Sequence, residues 1–319
     1  GRLHRRIQLI SKIPTQPSAR FRSRRAASTM PRSHWRCRTP LASAAPTPRW
    51  RLEGSDMTAG LLAGKRGLIM GVANERSSAW GIAASAAKAG AELAFTYQME
   101  GFGKRLRPLA ESVGSELMVE CDVAHEGAVG KAFDWLAGHW SSVDFVVHAL
   151  AFSDKNELKG RYLNTSRQNF NETMMVSAFS FTEVAQAARQ MMPDGGSLVT
   201  LSYIGAQRIS PNYNVMGVAK AALEASVRYL AVDLGSQNIR VNALSAGPMK
   251  TLAGAVITGA RHIYRYAETA APLGRNPDIN EVGRSGLYLV SDLSSGVTGE
   301  VHFVDGGFNT IATPPEDTE

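Results

Sequence analysis

Cysteine is nearly absent: the chain of 319 residues holds two, Cys37 and Cys121. Two isolated thiols make neither a disulfide framework nor a Cys-ligated zinc site, and they fit a reducing compartment. Long apolar runs are missing as well. Nowhere do about 18 consecutive apolar residues occur, which excludes a membrane-spanning helix. Acidic residues are scarce in one region only. Residues 1–56 carry thirteen Arg and Lys against Glu53 and Asp56, a balance of +11, so within the total of +7 the remainder of the chain stands at −4. The sequence pI of about 9.5 therefore belongs to the N-terminal stretch. Charge gives no argument that the folded part binds nucleic acid.

That stretch, with Arg5-Arg6, Arg20-Phe21-Arg22-Ser23-Arg24-Arg25 and several prolines, has no sustained apolar period and is expected to be disordered. It lacks the continuous apolar centre of a secretory signal. Its Arg- and Ser-rich composition resembles an organelle transit peptide, and a start site placed upstream of a true start at Met57 accounts for the same composition. Residues 57–319 are expected to form a single domain.

From Lys65 onward, short β-rich runs alternate with helical patterns. Strands are expected near Arg66 to Met70, Glu92 to Thr96, Glu116 to Cys121, Phe145 to Ala149, Gly196 to Tyr203, Arg240 to Leu244 and Val301 to Val304. Helical periodicity covers about Ala79 to Ala89, Phe102 to Ser112, Glu126 to His139, Ser166 to Met192, Tyr213 to Gly235 and Ile279 to Leu293. Strict alternation predicts an α/β fold: a Rossmann-like, doubly wound parallel sheet of about seven strands with helices on both faces. Ligands of such sheets bind at the carboxyl ends of the strands. Gly71, His148-Ala149-Leu150-Ala151, Tyr203 and Ser245-Ala246-Gly247-Pro248 close strands there and are expected to converge.

A compact GxGxxG is also lacking. The first strand instead runs into Gly71-Val72-Ala73-Asn74-Glu75-Arg76-Ser77-Ser78-Ala79-Trp80-Gly81, with its glycines ten apart. Gly71 permits the turn, Ser77 can cap the helix or donate to phosphate, and Gly81 is expected to let the helix approach the sheet. A plain structural turn fits the same residues. Gln98 ends the second strand where dinucleotide folds commonly carry an acid, and no Arg or Lys follows at once, which mildly favours NADH over NADPH; a solvated strand end fits Gln98 equally. Asp122, at the end of the third strand, can bond an adenine amine or cap a helix. His148 has no ligand-spaced partner and reads as structural or pocket-lining, and no metal site is expected. Asp154-Lys155-Asn156-Glu157 and Asp292-Leu293-Ser294-Ser295 read as water-facing loops. Met174-Met175 and Met191-Met192 read as core.

The most informative pattern is Tyr203, Tyr213 and Lys220, placed where a strand meets a long amphipathic helix. Seven residues are nearly two turns, so Tyr213 and Lys220 share a face, roughly 10 Å apart along the axis. Helical side chains lean toward the N-terminus, which brings the ammonium back toward the phenol. A cation there is expected to lower the phenol pKa. The same ammonium can hold the ribose of a nicotinamide cofactor, and the phenol can meet the oxygen of a conjugated carbonyl as it becomes negative. Two solvated side chains at helical spacing remain the plain alternative.

With these residues in hand, the segment from about Leu61 to Ile311 resembles the NADH-dependent enoyl-acyl-carrier-protein reductases of bacterial type, a branch of the short-chain dehydrogenase/reductase superfamily. The likeness rests on Gly71-Val72-Ala73 through Gly81-Ile82-Ala83, Ala94 to Gln98, Cys121-Asp122-Val123-Ala124, Pro211 to Gly217, Arg240-Val241-Asn242-Ala243, Ser245 to Pro248, and Thr298-Gly299-Glu300 with Val304 to Gly307. Six residues between Tyr213 and Lys220 discriminate well, because ordinary members of the superfamily use three and reduce ketones. The resemblance implies a cytoplasmic bacterial homotetramer that reduces the trans-2,3 double bond of an acyl thioester on acyl carrier protein; organelle targeting by the basic stretch is the alternative. It implies hydride from NADH to C3, an enolate met by Tyr213, a ribose held by Lys220, and Tyr203 shaping the site or helping protonation, which completes the step at C2. Gly71, Ser77, Ser78, Gln98, Asp122, Val123, Ala149, Leu150, Lys220, Met249 and Thr251 match cofactor positions, and Ala151, Tyr203 and Tyr213 match substrate positions. Residues 249–270 match a flexible substrate lid. Ser78, Ala149 and Ala151 depart from the isoleucine, serine and glycine usual in the family, and Thr258 to His262 differ from usual lid sequences, which leaves chain length and inhibitor fit open. A ketone-reducing relative and a dinucleotide-sensing protein without the chemistry are the other readings.

Overall fold

The computed structural model describes residues 60–251 and 259–313, with residues 58 and 254. The basic stretch 1–56 and residues 252, 253 and 255–258 of the expected lid lie outside the described residues.

Among the described residues the chain forms β1 (Arg66–Met70), β2 (Glu92–Tyr97), β3 (Met118–Glu120), β4 (Phe145–His148), β5 (Gly196–Ser202), β6 (Ile239–Ala246) and β7 (Val301–Val304). Every adjacent pair is parallel, in the spatial order β3-β2-β1-β4-β5-β6-β7. Strand order reverses between β1 and β4, so the crevice at their carboxyl ends is the switch point at which such sheets take ligands.

Period-two side-chain alternation divides the strands between two apolar layers. Leu68, Met70, Ala94, Val146, Leu198 and Val241 pack under α3 (Ala128–Ala137), α5 (Ser180–Ala188) and α6 (Asn214–Gly235). Their neighbours Ile69, Leu93, Phe95, Phe145, Val147, Val199 and Leu244 pack under α1 (Ser78–Lys88), α2 (Glu100–Ser112) and α8 (Ile279–Val290). Both faces of a parallel sheet are thereby covered, as burial of near-continuous apolar strands requires.

The helical stretch expected from Ser166 to Met192 is interrupted. It consists of α4 (Arg167–Met174), one π turn at Met175–Phe179, α5 and a short 3-10 turn, Arg189–Met191. Apolar spacing does not reveal one inserted residue, but the insertion leaves Met175 half exposed while Met191 and Met192 are buried. Gly81 also differs from expectation. A β-carbon there would stand 2.5 Å from the Ile279 carbonyl oxygen, and one at Gly283 would stand 2.3 Å from the Gly81 oxygen. These glycines thus bring α1 against α8, not α1 against the sheet. The loop Asp292 to Ser295 is not merely water-facing: Ser294 is buried and accepts Arg240 Nη1 at 2.7 Å.

Because the α1 and α8 backbones touch at Gly81, Gly81→Ala is expected to destabilise the protein by about 1–3 kcal/mol through overpacking. Urea unfolding measures this, and an unchanged midpoint would contradict the packing described.

Candidate active site

The carboxyl ends of β4, β5 and β6 surround a cavity of about 700 Å³. Tyr203, Tyr213 and Lys220 all line it, with Ser78, Ala151, Met249 and Thr251. Phe152, Leu158, Met216, Ile263 and Tyr264 supply apolar walls. The expected lid is in part a helix, α7 (Ala260–Ala270), whose Ala260, Ile263 and Tyr264 face the cavity.

The Tyr213 position is over-determined. It stands at the N-cap of α6, between Asn212 and Asn214, both in the left-handed region at φ of 60° and 41°. Asparagine tolerates this conformation better than most side chains. Asn214 Nδ2 donates to the Leu158 oxygen at 3.1 Å, tying the turn to the cavity wall. The Tyr203 and Tyr213 rings meet edge to face at 5.0 Å between centroids. Gly205 makes that contact possible, because a β-carbon there would lie 2.5 Å from the Tyr213 ring.

Tyr213 and Lys220 are only 7% and 5% exposed, which removes the reading as solvated side chains. The expectation that Lys220 lowers the phenol pKa is corrected. Lys220 Nζ donates to the Leu201 oxygen at the end of β5, at 2.7 Å, and so is tied to the sheet. Burial pushes the Tyr213 phenol above its ordinary value, with Tyr203 and Glu224 adding to the rise. Burial likewise lowers Lys220 to about 8, while Glu224 acts the other way. The phenol is therefore held as a neutral hydrogen-bond donor. A donor of that kind can stabilise a negative oxygen without first giving up its proton.

The other candidates form a second group along the sheet. Gly71, at φ of 94°, closes β1, and a β-carbon there would meet the Ala149 oxygen at 2.2 Å, so Gly71, Ala149 and Leu150 are in one crevice. Ser77 occupies the N-cap of α1 but does not cap it with its side chain. Its Oγ instead accepts from the Ala73 and Asn74 amides, each at 3.0 Å, and this organises the loop after β1. The N-terminus of α1 has no side-chain cap and its first residue, Ser78, lines the cavity, as suits an anion site. Gln98 Nε2 donates to Asp122 Oδ2 at 3.2 Å, bridging the ends of β2 and β3, with Val123 next in sequence. Asp122 caps no helix: its other oxygen accepts from Ala124 N, and the α3 N-cap is Gly127. An uncapped helix terminus, a polar pair two strands away and a buried ammonium beside the cavity fit an extended dinucleotide. Among the described residues, no group of three or more His, Cys, Asp or Glu could hold a metal ion. None of their helices is long and apolar enough to cross a membrane.

Several cavity residues were not anticipated. Asp154 and Lys155 line the cavity instead of simply facing water, because Asn169 Oδ1 accepts from the Asp154 amide at 2.9 Å and folds the loop inward. Glu157 fastens the same loop to α4 by accepting from Ser166 N and Oγ, both at 2.8 Å. Glu224, buried four residues after Lys220, carried no motif signal beyond its spacing on α6.

The family profile for enoyl-(acyl carrier protein) reductase matches residues 71–309. The chain belongs to that family. It is 59% identical over 255 residues to "Enoyl-[acyl-carrier-protein] reductase [NADH] 2" of Rhizobium meliloti, covering 80% of this chain and 95% of the relative. Identity is 54% over 257 residues to "Enoyl-[acyl-carrier-protein] reductase [NADH] FabI" of Rickettsia bellii, covering 81% and 98%. Among solved structures, FabI from Candidatus Liberibacter asiaticus superposes with a TM-score of 0.79 at 54% identity, covering 81% of this chain and all, 100%, of that one. The reductase of Anaplasma phagocytophilum, solved in complex with NAD, gives a TM-score of 0.78 at 53% identity, covering 81% and 98%.

His148, at the end of β4, is wholly buried. His148 Nε2 lies 2.9 Å from Ser180 Oγ and Nδ1 lies 2.9 Å from Thr200 Oγ1, and each hydroxyl also donates to a carbonyl oxygen, that of Val176 and that of His148 itself. Burial first, and the Lys220 charge second, lower its pKa from 6.5 to about 3. Since the folded pKa is depressed, the unfolded state binds the proton more readily, and stability is lost as pH falls from 6.5 toward 3. The full loss is on the order of 5 kcal/mol. His148→Gln is expected to flatten the fall in urea midpoint between pH 7 and 4; parallel falls in both proteins would contradict it.

Proposed function

We propose that the chain is an NADH-dependent enoyl-acyl-carrier-protein reductase of type II fatty acid biosynthesis. The observation that carries this reading is the convergence of Tyr203, Tyr213 and Lys220 on one largely apolar cavity, in a chain of this family. Residues 57–319 are the reductase domain, with residues 1–56 preceding it as an extension and residues 249–270 as the substrate lid. The bacterial relatives support a cytoplasmic enzyme.

In this reading the adenosine end of the cofactor takes Gln98, Asp122 and Val123, its phosphates take Gly71, Ser77 and Ser78 at the start of α1, and its nicotinamide half takes Ala149, Leu150, Lys220, Met249 and Thr251. When bound, the cofactor supplies the hydride that goes to C3 of a trans-2-enoyl thioester. Lys220 binds and orients the nicotinamide ribose. Tyr213, kept protonated by its surroundings, donates to the thioester oxygen as it takes on enolate charge. Tyr203 packs on that ring and, with Ala151, shapes the space beside it, and a proton delivered at C2 completes the saturated thioester. Phe152, Leu158, Met216 and Ile263 exclude water from the acyl chain.

Acyl carrier protein presents the substrate. Exposed apolar side chains on adjoining helices, Phe170, Met175 and Phe179 on the α4–α5 segment and Val218, Tyr229 and Val232 on α6, support assembly as a homotetramer. Such faces are otherwise costly to leave in water.

Tyr213→Phe is expected to lower kcat about 10²- to 10³-fold with NADH affinity retained, since it removes one oxyanion donor. The check is the loss of NADH absorbance with a trans-2-enoyl thioester, alongside NADPH and a β-ketoacyl thioester as alternative substrates. Full turnover by the variant, or consumption of the ketone instead, would rule the reading out.

A further inference from the structure

We propose that Glu224 is a positioning residue for the cofactor half of the site: it fixes a negative charge one helical turn beyond Lys220 and keeps that buried amine a cation aimed at the nicotinamide ribose. The inference rests on the reading of Lys220 as the ribose contact.

Among the described residues Lys220 is the only buried Lys or Arg, and Glu224 and Asp305 are the only buried carboxylates. Asp305 is accounted for by the turn it holds, accepting from Gly307 N, Asn309 N and Asn309 Nδ2. Glu224 has no such local duty. Its oxygens accept from Ser202 Oγ at 2.6 Å and Gln207 Nε2 at 3.0 Å, two neutral donors flanking Tyr203. Neutral donors aim a carboxylate but do not balance its charge, and an unbalanced buried charge is costly. The balance is four residues away on the same helix. Leu201 and Ser202, successive residues of β5, are bonded to Lys220 and Glu224 respectively, so one strand end registers both charges.

The titratable groups around the amine are His148 from β4, Tyr203 beyond β5, and Tyr213 and Glu224 from α6. Asp154, Lys155 and Glu172 line the same cavity. His148 is neutral and both phenols are protonated near neutral pH, which leaves Glu224 as the buried anion beside the amine. It opposes the desolvation of Lys220 and also disfavours a phenolate at Tyr213. One carboxylate thus favours the ionisation state that each partner needs.

The test uses Glu224→Gln, which keeps the shape and both hydrogen bonds and removes the charge. In lysine-labelled protein, with the Lys220 signal assigned by its loss in Lys220→Met, NMR gives the amine titration directly. NADH dissociation constants are measured over the same pH range. The variant is expected to titrate lower by about one unit or more, with NADH affinity matching the parent near pH 6 and roughly fivefold or more weaker near pH 8. An unshifted Lys220 midpoint would overturn the proposal, as would a wild-type midpoint below about 7, which needs no variant to fold. An NADH loss equal at every pH would mark Glu224 as merely structural and overturn it too. A shifted midpoint with NADH affinity that does not follow it would uphold the charge coupling and sink the ribose role of Lys220 instead.

Discussion

The site depends on how the N-terminal half of α6 docks against the carboxyl end of β5. That contact buries a phenol, an ammonium and a carboxylate within about three turns of one helix, and it is held by Lys220 to Leu201, Glu224 to Ser202, and the Tyr213 ring against Gly205. Burying charge in this way opposes folding. Desolvation favours the neutral form of both side chains, raising Tyr213 and lowering Lys220, and Glu224 acts against the second shift. In the proposed reaction the neutral donor meets the enolate and the cation meets the ribose.

Much of this was legible in the amino-acid sequence. The sheet followed from alternation alone, since runs such as Phe145-Val146-Val147 suit only a strand covered on both faces. The spacing of Tyr213 and Lys220 led to the cavity, and the strand-closing residues Ala151, Tyr203, Ala246 and Gly247 do converge on it. The reading failed where a side chain had more than one local partner to choose from. Ser77 sits at a helix cap yet bonds backward to the loop. Gly81 faces a helix that lies two hundred residues further on, roughly, and spacing within its own helix cannot report that approach. The inference that Lys220 acidifies Tyr213 rested on pairwise charge and left out burial, the larger effect here.

The π turn at Met175–Phe179 is a second feature that no hydrophobic period discloses. It places Ser177 where its Oγ donates to the Phe152 oxygen at 3.0 Å and accepts from the Phe152 amide at 2.9 Å. The loop after β4, which carries Ala151, Phe152 and Asp154 into the cavity, is thereby held by the helix beneath it. Ser78 and Ala151, two of the expected departures from the usual family residues, lie in the cavity lining, so sequence variation at these positions changes the shape of the cavity.

The central claim is that Tyr213 works as a buried, protonated donor. The most direct measurement is the phenolate difference spectrum between the protein and Tyr213→Phe across a pH titration. The account predicts no contribution from Tyr213 through pH 10.0, its ordinary value, because the environment raises it. A phenolate band from this residue with a midpoint below about 9 would contradict the account and restore a lysine-acidified phenol.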